Sequence, residues 1–142
     1  YKRQYNDRFI MGGNGIPYGN VLRGYDDNRV GPLTSTGNPI GGNTLVKFST
    51  EFRVPFAENP VVYGMVFAEM GNVWSSTDLM ERLSLPRSGP LDLKRSVGIG
   101  VRFFMPMIGM LGFDFARGFD RVDINGKLKP EWKTTLTFGQ QF

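Results

Sequence analysis

Residues Thr44 to Phe56 read TLVKFSTEFRVPF, and their alternation decides the fold class. Thr44, Val46, Phe48, Thr50, Phe52, Val54 and Phe56 point one way, and Lys47, Ser49, Glu51 and Arg53 the other. A period of two is the mark of a strand with one apolar and one polar face. The same alternation recurs downstream. Val97, Ile99, Val101 and Phe103 alternate with Ser96, Gly98, Gly100 and Arg102. Leu111, Phe113 and Phe115 alternate with Gly112, Asp114 and Ala116. Trp132, Thr134, Leu136, Phe138, Gln140 and Phe142 alternate with Lys133, Thr135, Thr137, Gly139 and Gln141. Val61 to Trp74 forms a further strand with weaker alternation, and Lys2 to Met11 carries a partial sixth. Helix is almost absent; Asp78 to Leu83, with Asp78 and Glu81 at capping-box spacing, is the one short candidate. The chain therefore reads as all-β: an antiparallel meander of five to six strands.

The connections separate the architectures. Long, Gly-, Pro- and Asn-rich segments (12–42 and 71–93) alternate with tight turns at Ala57 to Pro60 and Pro106 to Gly109. The 118–130 connection is intermediate and holds an Asn125-Gly126 turn signal. Long loops at one end and short turns at the other are the pattern of a transmembrane β-barrel. Periodicity alone fits a soluble antiparallel sandwich equally well, its apolar face being a protein core. The end of the chain favours the membrane. An exposed aromatic strand ending on Phe142 invites edge pairing in water, whereas in a bilayer the aromatic sits in the interfacial girdle. Five or six strands fall short of the bacterial minimum of about eight for closure. The chain also starts at Tyr1 rather than Met. The expectation is therefore the C-terminal part of a larger barrel that cannot close alone, with a partial strand at 1–12, a long loop at 13–43 and five strands across 44–142. Its open edges would be covered by another copy, detergent or an altered register.

Composition narrows the chemistry. Cysteine and histidine are both absent, which excludes disulfides, cysteine or histidine metal sites and catalysis by thiol or imidazole. No nucleophile–base constellation is legible, so an enzyme is not expected, and neither is a cofactor. The net charge of +4 is scattered, its densest cluster being Lys127, Lys129 and Lys133 with Glu131 among them, so nucleic acid is not the expected partner. Glycine is the outlier at 19 of 142 residues, well above the usual ~7 %; it falls on turns and on the polar faces of strands. Met65, Met70, Met105, Met107 and Met110 fall on otherwise apolar segments and read as packing or lipid-facing residues.

The sharpest local signal is Val21-Leu22-Arg23-Gly24-Tyr25, continuing as Asp26-Asp27-Asn28-Arg29-Val30-Gly31-Pro32. A loop guanidinium that leaves water must find acceptors. The alternation places Glu51 and Glu69 on the polar face, where they can supply charge-assisted bonds. Gly24 lets the backbone pass close to a wall, and Tyr25 can pack there with its hydroxyl bonded. This stretch resembles the Arg-Gly-aromatic loop motif of the BamA superfamily of outer-membrane protein insertases. The motifs behind it occur in the family's order: Gly41-Gly42-Asn43, Ser49 to Phe52, Glu69-Met70-Gly71-Asn72-Val73-Trp74, Arg95 to Pro106, Gly109 to Phe119, and the tail from Trp132.

The resemblance implies that Arg23 is held in the barrel lumen by Glu51 and Glu69. Glu69 stands where the family pattern has aspartate, one methylene shorter, which makes Glu51 the more secure partner. The resemblance further implies a C-terminal seam and insertion signal at Trp132, Leu136, Phe138, Gly139 and Phe142, with Gly139 permitting a kink. It implies a protein of the outer membrane of a diderm bacterium that folds and inserts β-barrel clients at a lateral seam without ATP. Its partners would be unfolded barrel clients, the lipoprotein subunits of an assembly complex, and lipid. A two-partner secretion or organelle translocator is the alternative within the superfamily. A soluble β-rich binding module is the alternative outside it.

Overall fold

The structure is a computed structural model that describes residues 8–14, 19–75, 92–122 and 125–138. Five strands form one antiparallel sheet in chain order: β1 (Thr44–Glu58), β2 (Val61–Trp74), β3 (Lys94–Met105), β4 (Gly109–Gly118) and β5 (Trp132–Phe138). The sheet does not close. Among the described residues, β1 and β5 each have one neighbour, so each leaves an edge unpaired. The tight turns fall where Pro60 and Pro106 interrupt the alternation. Asn125-Gly126 lies inside a small reversal closed by a Val122–Leu128 bridge, with Gly126 at φ 74°.

Register explains which residues share a face. Glu51, Phe67, Gly98, Ala116 and Lys133 lie in one row across the five strands. The adjoining rows are Ser49, Glu69, Ser96 and Gly118 on one side and Arg53, Met65, Gly100, Asp114 and Thr135 on the other. These rows make the inner face. The outer face carries Phe48, Phe52, Phe56, Val66, Val97, Ile99, Val101, Phe113, Phe115, Trp132, Leu136 and Phe138, all exposed, with Phe52 at 69 %. Phe115 and Trp132 stack there at 4.6 Å between centroids. A soluble sheet buries its apolar face in a protein core; here the polar face is the covered one. The soluble-sandwich reading fails on that inversion, because so large an exposed apolar surface needs an apolar solvent.

The inner face is covered by the segment that precedes the sheet. Residues 8–14 and 19–43 fold over it through isolated bridges: Phe9 to Gly42, Met11 to Asn20 and Val30, Gly13 to Leu22, and Leu33 to Pro39. Met11, Leu22, Tyr25 and Val30 bury themselves against Val73, with Leu45 alongside. This packing accounts for the weak alternation of β2. Its inward positions Met65, Phe67 and Val73 meet protein rather than water, so they are apolar like the outward ones. It also divides the methionines: Met65 is buried inside, Met70 faces outward, and Met107 is exposed at the β3–β4 turn. The partial sixth strand is not formed by residues 8–11, which make bridges only. Residues 1–7 of that segment and the short helix candidate at Asp78 to Leu83 lie outside the described residues.

Candidate functional site

The long loop delivers Arg23 to the centre of the inner face. Its side chain is only 6 % exposed and meets two strands at once. Glu69 on β2 is the principal acceptor. Arg23 donates to Glu69 Oε1 from Nη2 at 2.6 Å and Nε at 3.1 Å, and its backbone N–H donates to Oε2 at 2.9 Å. Glu51 on β1 receives one bond, from Nη2 at 2.6 Å. It is otherwise turned toward Arg53, which donates to it from Nε and Nη2 at 3.0 and 2.6 Å. The expected ranking of the two carboxylates is thus reversed. The one carboxylate of Glu69 takes the guanidinium and the loop backbone together. Ser49 and Lys47 flank it at 3.2 and 3.4 Å.

Two further groups complete the pocket for Arg23. The guanidinium lies 3.6 Å from the centroid of the Phe67 ring, a cation–π contact made in a dry setting. Met65 Sδ is 3.7 Å from Nη1. Phe67 can occupy the inner face because its row neighbour is Gly98, where a Cβ would collide with the ring and the β4 backbone. Polar-face glycines such as Gly98, Gly100 and Gly112 are therefore clearances for specific side chains, while many of the others serve loops and turns.

The next two residues of the motif engage β3 and β4. Gly24 has φ 88°, a conformation that favours glycine, and passes so close to Gly118 at the end of β4 that a Cβ would clash. Gly118 is equally constrained, by the Gly24 carbonyl and the Tyr25 ring. Tyr25 donates its hydroxyl proton to the Arg95 carbonyl at 2.8 Å and accepts from the Asp120 N–H at 3.2 Å. Burial pushes this phenol well above its ordinary range, so it stays protonated and able to donate. Asp120 forks onto Arg95 at 3.0 and 3.1 Å, and that guanidinium holds its carboxyl below the usual carboxylate range. Leu22, fully buried, anchors the approach, while Val21 is half-buried.

A second inward ion pair escaped the sequence reading. Arg102 on β3 donates from both terminal nitrogens to Asp114 on β4, at 2.8 and 2.7 Å. Alternation puts both residues on the polar face, but only the register makes them diagonal neighbours. Of the terminal-strand residues, Trp132, Leu136 and Phe138 lie on the outer face of β5, all exposed, while Gly139 and Phe142 lie outside the described residues. Among the described residues no group of acidic side chains is arranged to hold a metal.

An open run of antiparallel strands, apolar outside and polar inside, with a loop arginine locked to the inner wall, defines part of a membrane β-barrel with an inserted loop. A family model described as the Omp85 superfamily domain matches residues 2–142, and the chain belongs to that superfamily. Among solved structures it is similar to BamA from Haemophilus ducreyi, crystallised without POTRA domains 1–3. The match has a TM-score of 0.63 at 21 % identity, covering 94 % of this chain. The chain spans 28 % of that chain's length, so what the sheet represents is one section of a BamA-like barrel.

Proposed function

We propose that this chain is the C-terminal part of an outer-membrane assembly factor of a diderm bacterium, which folds and inserts β-barrel proteins by strand pairing at a lateral seam. The reaction is non-covalent and needs neither ATP nor a cofactor. The observation that carries the reading is the loop arginine locked to the inner wall of a sheet with an apolar outer face, in a chain of the Omp85 superfamily. Unpaired N–H and C=O groups on an edge strand template the addition of another strand. Trp132, Leu136 and Phe138 keep the edge of β5 at membrane level, and the family resemblance assigns Gly139 and Phe142 to the seam and the insertion signal. The arginine-locked loop keeps the wall behind the seam in one register. The partners are unfolded barrel clients, lipoprotein subunits of an assembly complex and the surrounding lipid.

These 142 residues hold no cysteine, so once any cysteine elsewhere in the full-length protein is replaced by serine a labelling test is direct. Leu136→Cys at the seam and Ile99→Cys on β3 are placed separately in the full-length protein, which is reconstituted in lipid vesicles. A small outer-membrane barrel carrying one cysteine in an edge strand is then added unfolded, with copper phenanthroline as the oxidant that takes the two electrons of disulfide formation. A disulfide adduct is expected at position 136 during insertion and none at 99. Equal labelling at both positions, or no adduct at 136 while insertion proceeds, would refute the reading.

A further inference from the structure

The loop that carries Arg23 also reaches β5, at two points. Asp26 accepts from Lys133 Nζ, at the start of β5, at 2.7 Å through Oδ1. Its other oxygen accepts from Arg121 Nη2, in the β4–β5 connection, at 2.9 Å. Further along, Asn14 Nδ2 donates to the Leu136 carbonyl at 3.0 Å, and the Asn14 backbone N–H is held by Asp27 at 2.7 Å. The two contacts bracket residues 133–136 of a strand with one sheet neighbour.

We infer that the loop is a clamp on the last strand. Asp26 and Asn14 fix the position of β5 from inside the barrel, so the docking of the loop sets how freely the edge of β5 can open to an incoming strand. The inference builds on the seam reading above. Arg23 is tied to β1 and β2, while Asp26, three residues later, is tied to β5. A shift of the loop on one side therefore reaches the other through only three peptide bonds, along a backbone that passes close to Gly118 at Gly24. Asp26 is a positioning residue here: it touches no client, and it acts through the strand that would.

The test is amide hydrogen exchange on the full-length protein in detergent micelles, followed across β1 to β5. Asp26→Asn is expected to speed exchange of the 132–138 amides roughly fivefold, the loss of a partly exposed ion pair, and to leave β1 and β2 unchanged. Adding Asn14→Ala should raise it about fivefold again. Asp26→Glu, which keeps the charge, should restore most of the protection. Exchange in β5 that matches the parent in the double variant, or that rises equally in all five strands, would overturn the clamp. Insertion of a barrel client into vesicles is measured in parallel. If β5 loosens but insertion is unaltered, the clamp stands and it is the seam function that falls.

Discussion

Replacing Arg23 with alanine tests the centre of the inner face. The substitution removes three side-chain hydrogen bonds to carboxylates and the cation above Phe67. The decisive partner is Glu69, whose side chain is 1 % exposed and which loses most of its compensating charge. Removing one member of a buried pair costs about 3–5 kcal/mol. Lys47 at 3.4 Å and Ser49 at 3.2 Å remain near the carboxylate, which places the effect at the lower end, about 3 kcal/mol. That corresponds to roughly a hundredfold rise in the open population of the loop. The assay is hydrogen exchange of residues 19–31 in the full-length protein. Amides of the loop should exchange about a hundredfold faster while those of β3 and β4 are unaffected. Because the pair is buried, the difference should persist at high salt, where an exposed pair would be screened. A change below about threefold, or one abolished by salt, would show that the guanidinium does not anchor the loop.

Several shorter tests bear on neighbouring groups. Double-mutant cycles should give a coupling of roughly 2 kcal/mol for Arg23 with Glu69 and under about 1 kcal/mol for Arg23 with Glu51, since Arg53 also holds Glu51; equal couplings would contradict the geometry. Gly118→Ala should release the loop while the sheet keeps its exchange protection, because the new methyl meets the Gly24 carbonyl and the Tyr25 ring; a protected loop in that variant would refute the close approach. Asp120 has a depressed pKa in the folded protein, so its contribution is complete above the ordinary carboxylate value of 3.8 and disappears as pH falls through the lower folded value. Protection of the Tyr25 region should accordingly fall below about pH 4, and Asp120→Asn should remove that step. Deleting Phe142 from the full-length protein should reduce its own insertion into the outer membrane, measured as heat-modifiable folded barrel; normal insertion would refute the terminal-signal role.

The strands were legible because a membrane wall and a polar lumen impose opposite chemistry on alternate residues, and β1, β3, β4 and β5 each keep that pattern. β2 was less clear because its inner side is a core for the loop, with Phe67 and Val73 where polar residues were expected. Arg23, Glu51 and Glu69 could be grouped from alternation and the family motif. Their relative weight could not, since it depends on where the loop backbone lies, and that backbone itself donates to Glu69. Arg102 with Asp114 needed the β3–β4 register. The contacts of Asn14 and Asp26 join residues 122 and 107 positions apart, and no local pattern signals them.

Those separations have a kinetic meaning. The loop comes before all five strands in the chain, yet Arg23 waits for Glu51 and Glu69, 28 and 46 residues later. Tyr25 waits for Arg95 and Asp120, 70 and 95 residues later, and Asp26 waits for Lys133. Contacts of such length are the slowest to form, because chain closure precedes any return from the contact. The loop thus settles after the strands that follow it, and it settles fully only on a sheet whose every strand is in register. Seating of four consecutive residues, 23–26, therefore depends on all five strands at once.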